Sequence, residues 1–267
     1  MTKDSLGTRM KEYYEGIPKT RLMRRTPVAI RIDGKAFHTF TRGFRKPFDM
    51  VLMESMQETM KYLCENIQGC VFGYTQSDEI TLILIDYQKK ETSAWFDYEV
   101  QKMCSISASM ATMFFNRKFN SMVMQYRDKL DDLRVMKKLT DENIKVFLAY
   151  ERALDKGAMF DARCFNIPKE EVTNLVYWRQ QDATRNSIQM VGRAYFSHKE
   201  LNNKNCDDIQ EMLWSTYNIN WDKFPITQKR GTACIKDANG KWFVDKEMPI
   251  LKGENREYLE KLIYVGE

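Results

Sequence analysis

The sequence predicts an α+β fold built on a ferredoxin-like β-α-β-β-α-β unit, with additional C-terminal helices and short strands. Residues 28–32 alternate apolar positions, as a strand does, and two further strand-like runs, 70–74 and 80–85, flank a short polar turn. Helical spacing separates these strands and continues after them. The 267 residues are 43% hydrophobic, which is enough for a substantial core in one large domain or two small ones.

The first strand and helix have clear boundaries. Pro27 precedes the strand, and Asp33-Gly34 turns the chain at its end. Asp49 is placed to cap the following helix. Apolar residues repeat at helical spacing within that helix at Met50, Met53, Met56, Met60 and Leu63. We interpret this stripe as core packing, because methionine side chains commonly fill irregular gaps in cores.

The next elements complete the unit. Gly69 ends the first helix, and residues 76–78 form the turn of the β-hairpin. Small side chains in the predicted helix 95–115 suit close packing on a sheet, and residues 164–167 supply the closing strand. Polymerase palms and nucleotide cyclases share this architecture, but a fold does not by itself determine a function.

The remainder divides into two parts. Residues 117–157 mix basic, acidic and aromatic side chains, which favours a solvated helical excursion over an arm that contacts RNA or a neighbouring subunit. From residue 171 helical spacing continues to about 217, and short strands with an Asn239-Gly240 hairpin turn follow. We therefore expect a palm-like catalytic region, 1–170, and a C-terminal region, 171–267, packed on it as one compact unit.

Composition restricts the class of protein. The net charge of +5 and the pI of about 8.7 are compatible with an RNA partner without requiring one. The six cysteines include no C-x-x-C pair, and there are two histidines, which argues against a structural zinc site. The polar first ten residues and the absence of an apolar run of roughly 20 residues predict a soluble, cytoplasmic protein without a membrane span.

The chemistry centres on two acidic segments, 31–34 and 73–79. Asp33 at a strand end and Asp78 at a hairpin tip can meet in space although they are about 45 residues apart. Two carboxylates and a backbone carbonyl, here that of Gly34, are sufficient protein ligands for two Mg²⁺ ions that also bind substrate phosphates. An Asp-Gly pair alone favours a simple turn, and only the second acidic segment makes a metal site the competing interpretation.

Phosphate binding has its own candidates. Residues 34–40 could direct backbone N–H groups at a phosphate before a helix. The lack of G-x-x-x-x-G-K-[ST] and G-x-G-x-x-G excludes P-loop and Rossmann sites. Lys46 is a candidate phosphate clamp. His38 could contact a ribose or phosphate, but a packed structural histidine is the favoured interpretation.

Several segments together resemble one family. Residues 31–40, 46–49 and 73–79 resemble the core of the tRNA-His guanylyltransferases, the 3′-to-5′ polymerases. Further matches follow in family order, and the resemblance spans about residues 28–235; they lie at 160–163, 178–182, 217–220 and 230–232.

The resemblance implies roles for individual residues. Asp33 and Asp78 would be catalytic, and both would bind metal together with Gly34. The nucleotide-binding residues would be Asp33, Gly34, Lys35, Ala36, Phe37, His38, Lys46, Asp49, Ser77, Asp78 and Lys102. Residues implied in activity or in binding the RNA end are Glu79, Arg163, Trp178, Arg179, Asp182, Arg185 and Asn186. It also implies two Mg²⁺ ions, ATP and GTP as substrates, tRNA as partner, and a homotetramer built as a dimer of dimers.

Two departures narrow the expectation. Eukaryotic members carry His-Ile-Asn-Asn-Leu-Tyr-Asn where residues 184–190 stand here, and only Asn186 agrees plainly. Glu99 occupies a position where those members often have arginine. The chain is therefore most similar to the "-like" branch of bacteria and archaea, which implies template-dependent repair of 5′-truncated tRNA through a 5′-adenylylated intermediate. The alternatives are addition of a single G to tRNA-His, a nucleotide cyclase, and a non-catalytic RNA-binding protein.

Overall fold

The computed structural model describes residues 5–265. Within this range the strands form one antiparallel sheet of six strands in the order β4-β1-β3-β2-β5-β6. The strands are β1 Val28–Gly34, β2 Cys70–Gln76, β3 Glu79–Leu84, β4 Phe160–Asn166, β5 Thr232–Lys236 and β6 Trp242–Asp245. The order of the first four is that of a ferredoxin-like unit, so the predicted α+β fold is confirmed.

The helices follow the predicted alternation. They are α1 Ser5–Met10, α2 Phe37–Phe40, α3 Met50–Asn66, α4 Val100–Val135, α5 Asp141–Lys156, α6 Lys169–Tyr195, α7 His198–Leu201, α8 Cys206–Tyr217, α9 Ile226–Arg230 and α10 Glu257–Ile263. Short 3₁₀ or π-helical segments lie at Lys11–Glu15, Trp95–Tyr98, Trp221–Lys223 and Gly253–Arg256. Among the helices of residues 5–265, none combines the length and the apolar character that crossing a membrane requires.

Both faces of the sheet are covered, because successive side chains of a strand point to opposite sides. Val28 and Ile30 of β1 belong to the core beneath α3 and α4. Ala29 between them belongs to a second core, beneath α6 and α10. The C-terminal helices thus cover the face of the sheet that α3 and α4 leave open.

The predicted helix 95–115 and the excursion 117–157 are corrected by the structure. Positive φ angles at Phe96, Asp97 and Tyr98 prevent a helix there, so α4 begins at residue 100 and continues without a break to residue 135. The buried stripe at Phe115, Phe119 and Val123 continues the helix through the supposed boundary. The charged side chains between these apolar residues made the segment resemble a solvated helix in the sequence. Only α5 is a separate helix.

Two smaller predictions have different outcomes. The methionine stripe of α3 packs in the core at Met56 and Met60, as expected, whereas Met50 is about half exposed and the core-packing prediction is wrong there. The β5–β6 hairpin confirms the Asn239-Gly240 turn, with Gly240 at φ +77°. That conformation is the one that favours glycine.

Candidate active site

Acidic residues of three neighbouring strands lie side by side at one end of the sheet. Asp33 of β1 lies opposite Glu79 of β3 in register and opposite Asp161 of β4. The Gly34 amide donates a hydrogen bond to the Asp78 carbonyl oxygen at 3.1 Å, which joins the end of β1 to the hairpin tip. The predicted meeting of the two acidic segments is therefore confirmed as geometry.

The environment disfavours ionisation of both aspartates. Burial raises the pKa of Asp33, and the nearby carboxylates of Glu79 and Asp161 raise it further. Burial also raises the pKa of Asp78, although the Ser77 hydroxyl donates a hydrogen bond to its carboxylate at 2.9 Å. A bound cation would relieve this concentration of negative charge.

The protein oxygens at this site suit a metal ion that takes its remaining ligands from a substrate. Among residues 5–265, no group of three or more His, Cys, Asp or Glu side chains is arranged to hold a metal ion alone. Asp33, Asp78 and the Gly34 carbonyl would supply few oxygens. Mg²⁺ commonly binds through one or two carboxylates and keeps water and phosphate oxygens as its other ligands, so these residues fit Mg²⁺.

Glu79 is engaged differently from the two aspartates. Arg31 binds its carboxylate through two nitrogens, at 3.2 and 2.8 Å, and Arg179 of α6 approaches it at 2.9 Å. Arg179 also contacts Asp182 at 2.7 Å, and Asp182 contacts Arg185 at 2.9 Å. This chain of charges, which we call the Glu79 network, attaches α6 to the edge of the candidate site.

A cleft of about 530 Å³ opens beside the hairpin tip, and we call it the first cleft. Ser77 and Asn186 line it, as does Asp49. Its other lining residues were not predicted from the sequence; they are Phe48, Leu52, Met53, Gln76, Ala183, Ser187, Met190, Thr227, Gln228, Lys229 and Gly231. The sequence signal for some of them was their place in the family-like segments, since Phe48, Gln76 and Gly231 lie in 46–49, 73–79 and 230–232.

Asp49 caps a helix and also secures a loop. Its buried carboxylate accepts hydrogen bonds from the amides of Leu52 at 3.0 Å and Arg45 at 2.9 Å, and from the Tyr150 hydroxyl at 2.7 Å. Because the Asp49 carboxylate accepts these three hydrogen bonds, its role in the structure is to hold the loop and the start of α3 together. The loop that these bonds hold carries Lys46, which is exposed and precedes by two residues Phe48, a lining residue of the first cleft. Helix α5 therefore supports the candidate phosphate clamp.

Tyr150→Phe is expected to lower the free energy of unfolding by about 1.5–3 kcal/mol, because it removes a buried hydrogen bond to a carboxylate. Urea unfolding measures this change. Tyr217→Phe is the matched control, since the hydroxyl of Tyr217 makes one exposed hydrogen bond at 3.3 Å, and it should change stability by less than about 0.5 kcal/mol. Equal effects would contradict the special role of Tyr150.

Lys102 is not brought to this site within the chain. It lies in the first turn of α4 and pairs with Glu99 at 3.6 Å. Its neighbour Cys104 is 3.6 Å from Cys164, near the end of β4 that is remote from Asp161. Because β3 runs away from the hairpin tip, the helix that follows it must begin at the far end of the sheet. The predicted place of Lys102 among the nucleotide-binding residues lacks support from this geometry.

Residues 34–40 differ from expectation in three respects. Phe37 is buried in the core, where it contacts other phenylalanine rings. His38 is exposed, so the favoured interpretation of a packed histidine is wrong. The Lys35 amide donates to the Met159 carbonyl at 2.8 Å, and with the Gly34 bond this removes two amides from the predicted phosphate contacts. Ala36 is exposed with a positive φ of 54°.

Arg163 lies on β4 directly opposite Arg31. Its guanidinium is more than half exposed and contacts the Asp161 carboxylate at 3.3 Å. It therefore adds positive charge at the rim of the candidate site. This location is close to the Glu79 network but outside its direct contacts.

Comparison with known proteins now identifies the family. A model of the tRNAHis guanylyltransferase (Thg1) family matches residues 7–168, more than half of the chain. The chain belongs to this family. It is therefore a nucleotidyltransferase, as its relatives are.

Individual family members extend the likeness to almost the full length. A bacterial Thg1-like protein solved in complex with ATP is 42% identical, with a TM-score of 0.81, and the match covers 98% of this chain and 100% of that one. A bacterial Thg1-like protein in complex with GTP is 39% identical, with a TM-score of 0.76 and the same coverage. A probable tRNA(His) guanylyltransferase of Dictyostelium discoideum is 25% identical and covers 92% of this chain and 88% of its own length.

Proposed function

We propose that this chain adds nucleotides to the 5′ end of tRNA in the 3′-to-5′ direction, and that it repairs 5′-truncated tRNA against a template. The observation that carries the proposal is the meeting of the strand end at Asp33-Gly34 with the hairpin tip at Asp78, where the neighbouring Ser77 lines the first cleft. The 42% identity to a bacterial Thg1-like protein crystallised with ATP supports ATP as a substrate here.

The proposed reaction has two phosphoryl transfers. First, the RNA 5′-phosphate attacks the α-phosphate of ATP or GTP, which forms a 5′-5′ linkage and releases pyrophosphate. Next, the 3′-hydroxyl of an incoming nucleotide attacks the activated 5′-phosphate, loses its proton and displaces AMP or GMP. RNA that already carries a 5′-triphosphate would need only the second transfer, with pyrophosphate as the leaving group.

The side chains position these reactants. Asp33, Asp78 and the Gly34 carbonyl would hold Mg²⁺, which when bound lowers the pKa of a hydroxyl and neutralises phosphate charge. Ser77 orients the Asp78 carboxylate through its 2.9 Å hydrogen bond. Lys46 would bind the triphosphate, and the apolar walls of the first cleft would exclude water. Positioning and electrostatics, rather than a protein general base, provide the rate enhancement in this scheme.

Addition of a single G to tRNA-His is the second candidate function. It would use the same site, and the specific observation in its favour concerns Asn186. Asn186 is the residue of 184–190 that plainly matches the eukaryotic segment, and it lines the first cleft.

The test compares two RNA substrates with ATP, GTP and Mg²⁺. One is a labelled 5′-monophosphorylated tRNA that lacks its first nucleotide, and the other is full-length tRNA-His. We expect faster extension of the truncated tRNA, with the added base following the opposite strand. Preference for full-length tRNA-His would favour the second candidate. Extension of neither by folded protein would contradict both, and product analysis on NTP alone would then test for a cyclase.

A further inference from the structure

A second cleft, of about 930 Å³, lies against a different face of α6. Its lining residues are Tyr177, Trp178, Gln180, Gln181, Thr184, Arg185, Arg230 and Ile250. Trp178 is 47% exposed there, so part of its ring is open to the cleft. An exposed aromatic ring inside a basic cleft is the arrangement that proteins use to stack nucleobases.

Two of the lining residues are arginines, Arg185 and Arg230, and two further arginines lie against the Trp178 ring. Arg31 and Arg179 lie within cation-π distance of the Trp178 ring, at 5.5 and 4.4 Å. Arg185 is largely exposed at the rim. The Nε of Arg230 is buried and has no hydrogen-bond partner within residues 5–265. A buried donor without a partner is costly, and an anionic ligand would satisfy it.

The two clefts lie against different faces of α6. Ser187 and Met190 line the first cleft, whereas Gln181 and Thr184 line the second. The β2–β3 hairpin lines the first cleft through Ser77, and Glu79 of the same hairpin binds Arg179, which lies over the ring of Trp178 in the second cleft. A reaction that joins a nucleotide to an RNA end requires two such approaches to one catalytic centre.

We propose that the second cleft binds the 5′-terminal nucleotide of the RNA, with its base on Trp178 and a phosphate at Arg230 and Arg185. This inference rests on the proposed function, since it assigns the RNA subsite of the same centre. The larger volume and the exposed Arg185 suit a polyanionic strand that must continue out of the site. The first cleft is then left for the free nucleotide.

The test measures binding in the absence of turnover. The probe is a 5′-monophosphorylated hairpin RNA with a 3′ fluorophore, and binding is followed by anisotropy; ATP affinity is measured separately. Trp178→Ala should weaken RNA binding about 10-fold, and Trp178→Phe should recover most of it, because phenylalanine retains a stacking face. Trp214→Ala is the matched control, since Trp214 is similarly exposed at 52% but lies on α8, and it should bind RNA like the wild type.

Arg230→Gln tests the phosphate contact. The wild type should bind the 5′-phosphorylated hairpin more tightly than a 5′-hydroxyl hairpin, and the variant should lose this difference while ATP affinity changes less than about twofold. If Trp178→Ala does not fold, this comparison still decides the inference. RNA binding by all variants equal to that of Trp214→Ala would overturn it, as would loss of ATP affinity in place of RNA affinity.

The failure of the inference and that of the proposed function give different results. If the wild type extends truncated tRNA and both the Trp178 and Arg230 variants bind RNA normally, the subsite is wrong and the function stands. If the wild type binds the phosphorylated hairpin through Trp178 and Arg230 but extends no tRNA, the RNA subsite stands and the proposed reaction is wrong.

Discussion

Asp33→Asn is expected to lower the rate of nucleotidyl transfer by at least about 10³-fold. The same change should make the metal-free protein more stable. The activity falls because the proposed metal loses a charged ligand, and metal-ion catalysis contributes several kcal/mol. Stability rises because burial and the neighbouring acids raise the pKa of Asp33, which means that the folded state disfavours its ionised form. Asparagine removes that charge near neutral pH.

Thermal unfolding in EDTA and in Mg²⁺, together with turnover of truncated tRNA, measures both effects. The wild type should gain stability on addition of Mg²⁺, because the ion binds the folded state, and Asp33→Asn should gain much less. Asp161→Asn is the matched control, since it removes a carboxylate from the same end of the sheet but from an exposed side chain. Normal turnover in Asp33→Asn would refute the assignment of Asp33 as a metal ligand.

Glu79→Ala should lower the free energy of unfolding by about 3–5 kcal/mol. The Glu79 carboxylate is 9% exposed and lies between Arg31 and Arg179, so its removal leaves two guanidinium groups poorly compensated. Arg179 is itself 7% exposed and cannot turn to water without moving α6. We therefore expect the variant to lose activity as well, because Asp78 precedes Glu79 directly.

Urea unfolding is the direct measurement for Glu79→Ala. Asp161→Ala serves as the control, because the Asp161–Arg163 pair is exposed on both sides and surface ion pairs contribute about 1 kcal/mol or less. A cost for Glu79→Ala no larger than that of the control would show that the Glu79 network does not hold α6 in place.

Local pattern predicted most of the secondary structure. The apolar run over residues 28–32 identified β1, and the polar turn at 76–78 between two apolar runs identified the β2–β3 hairpin. Asp49 was identified as a helix cap, which the structure confirms. The helix boundary near 95–115 failed, since positive φ angles at three consecutive residues have no strong signal in residue type.

The candidate site was predictable where an acidic residue stands at the end of a strand or at the tip of a hairpin. Asp33 and Asp78 stood at a strand end and a hairpin tip, and an antiparallel pair between those elements must bring the two together. The partnership of Glu79 with Arg179 was not predictable from spacing, because it joins residues 100 positions apart across the sheet and a helix. The attachment of Asp49 to Tyr150 is a second contact of this kind.

By itself the sequence determined the order of strands and helices, the acidic pair and the family resemblance, since each depends on short segments with their own periodicity or motif. Only the tertiary structure decided that Lys102 lies at the end of the sheet remote from the candidate site, that His38 is exposed, and that Trp178 and Arg230 line one cleft. The physical reason is that the direction of each strand and the face of each helix follow from packing against distant residues, which local patterns do not encode.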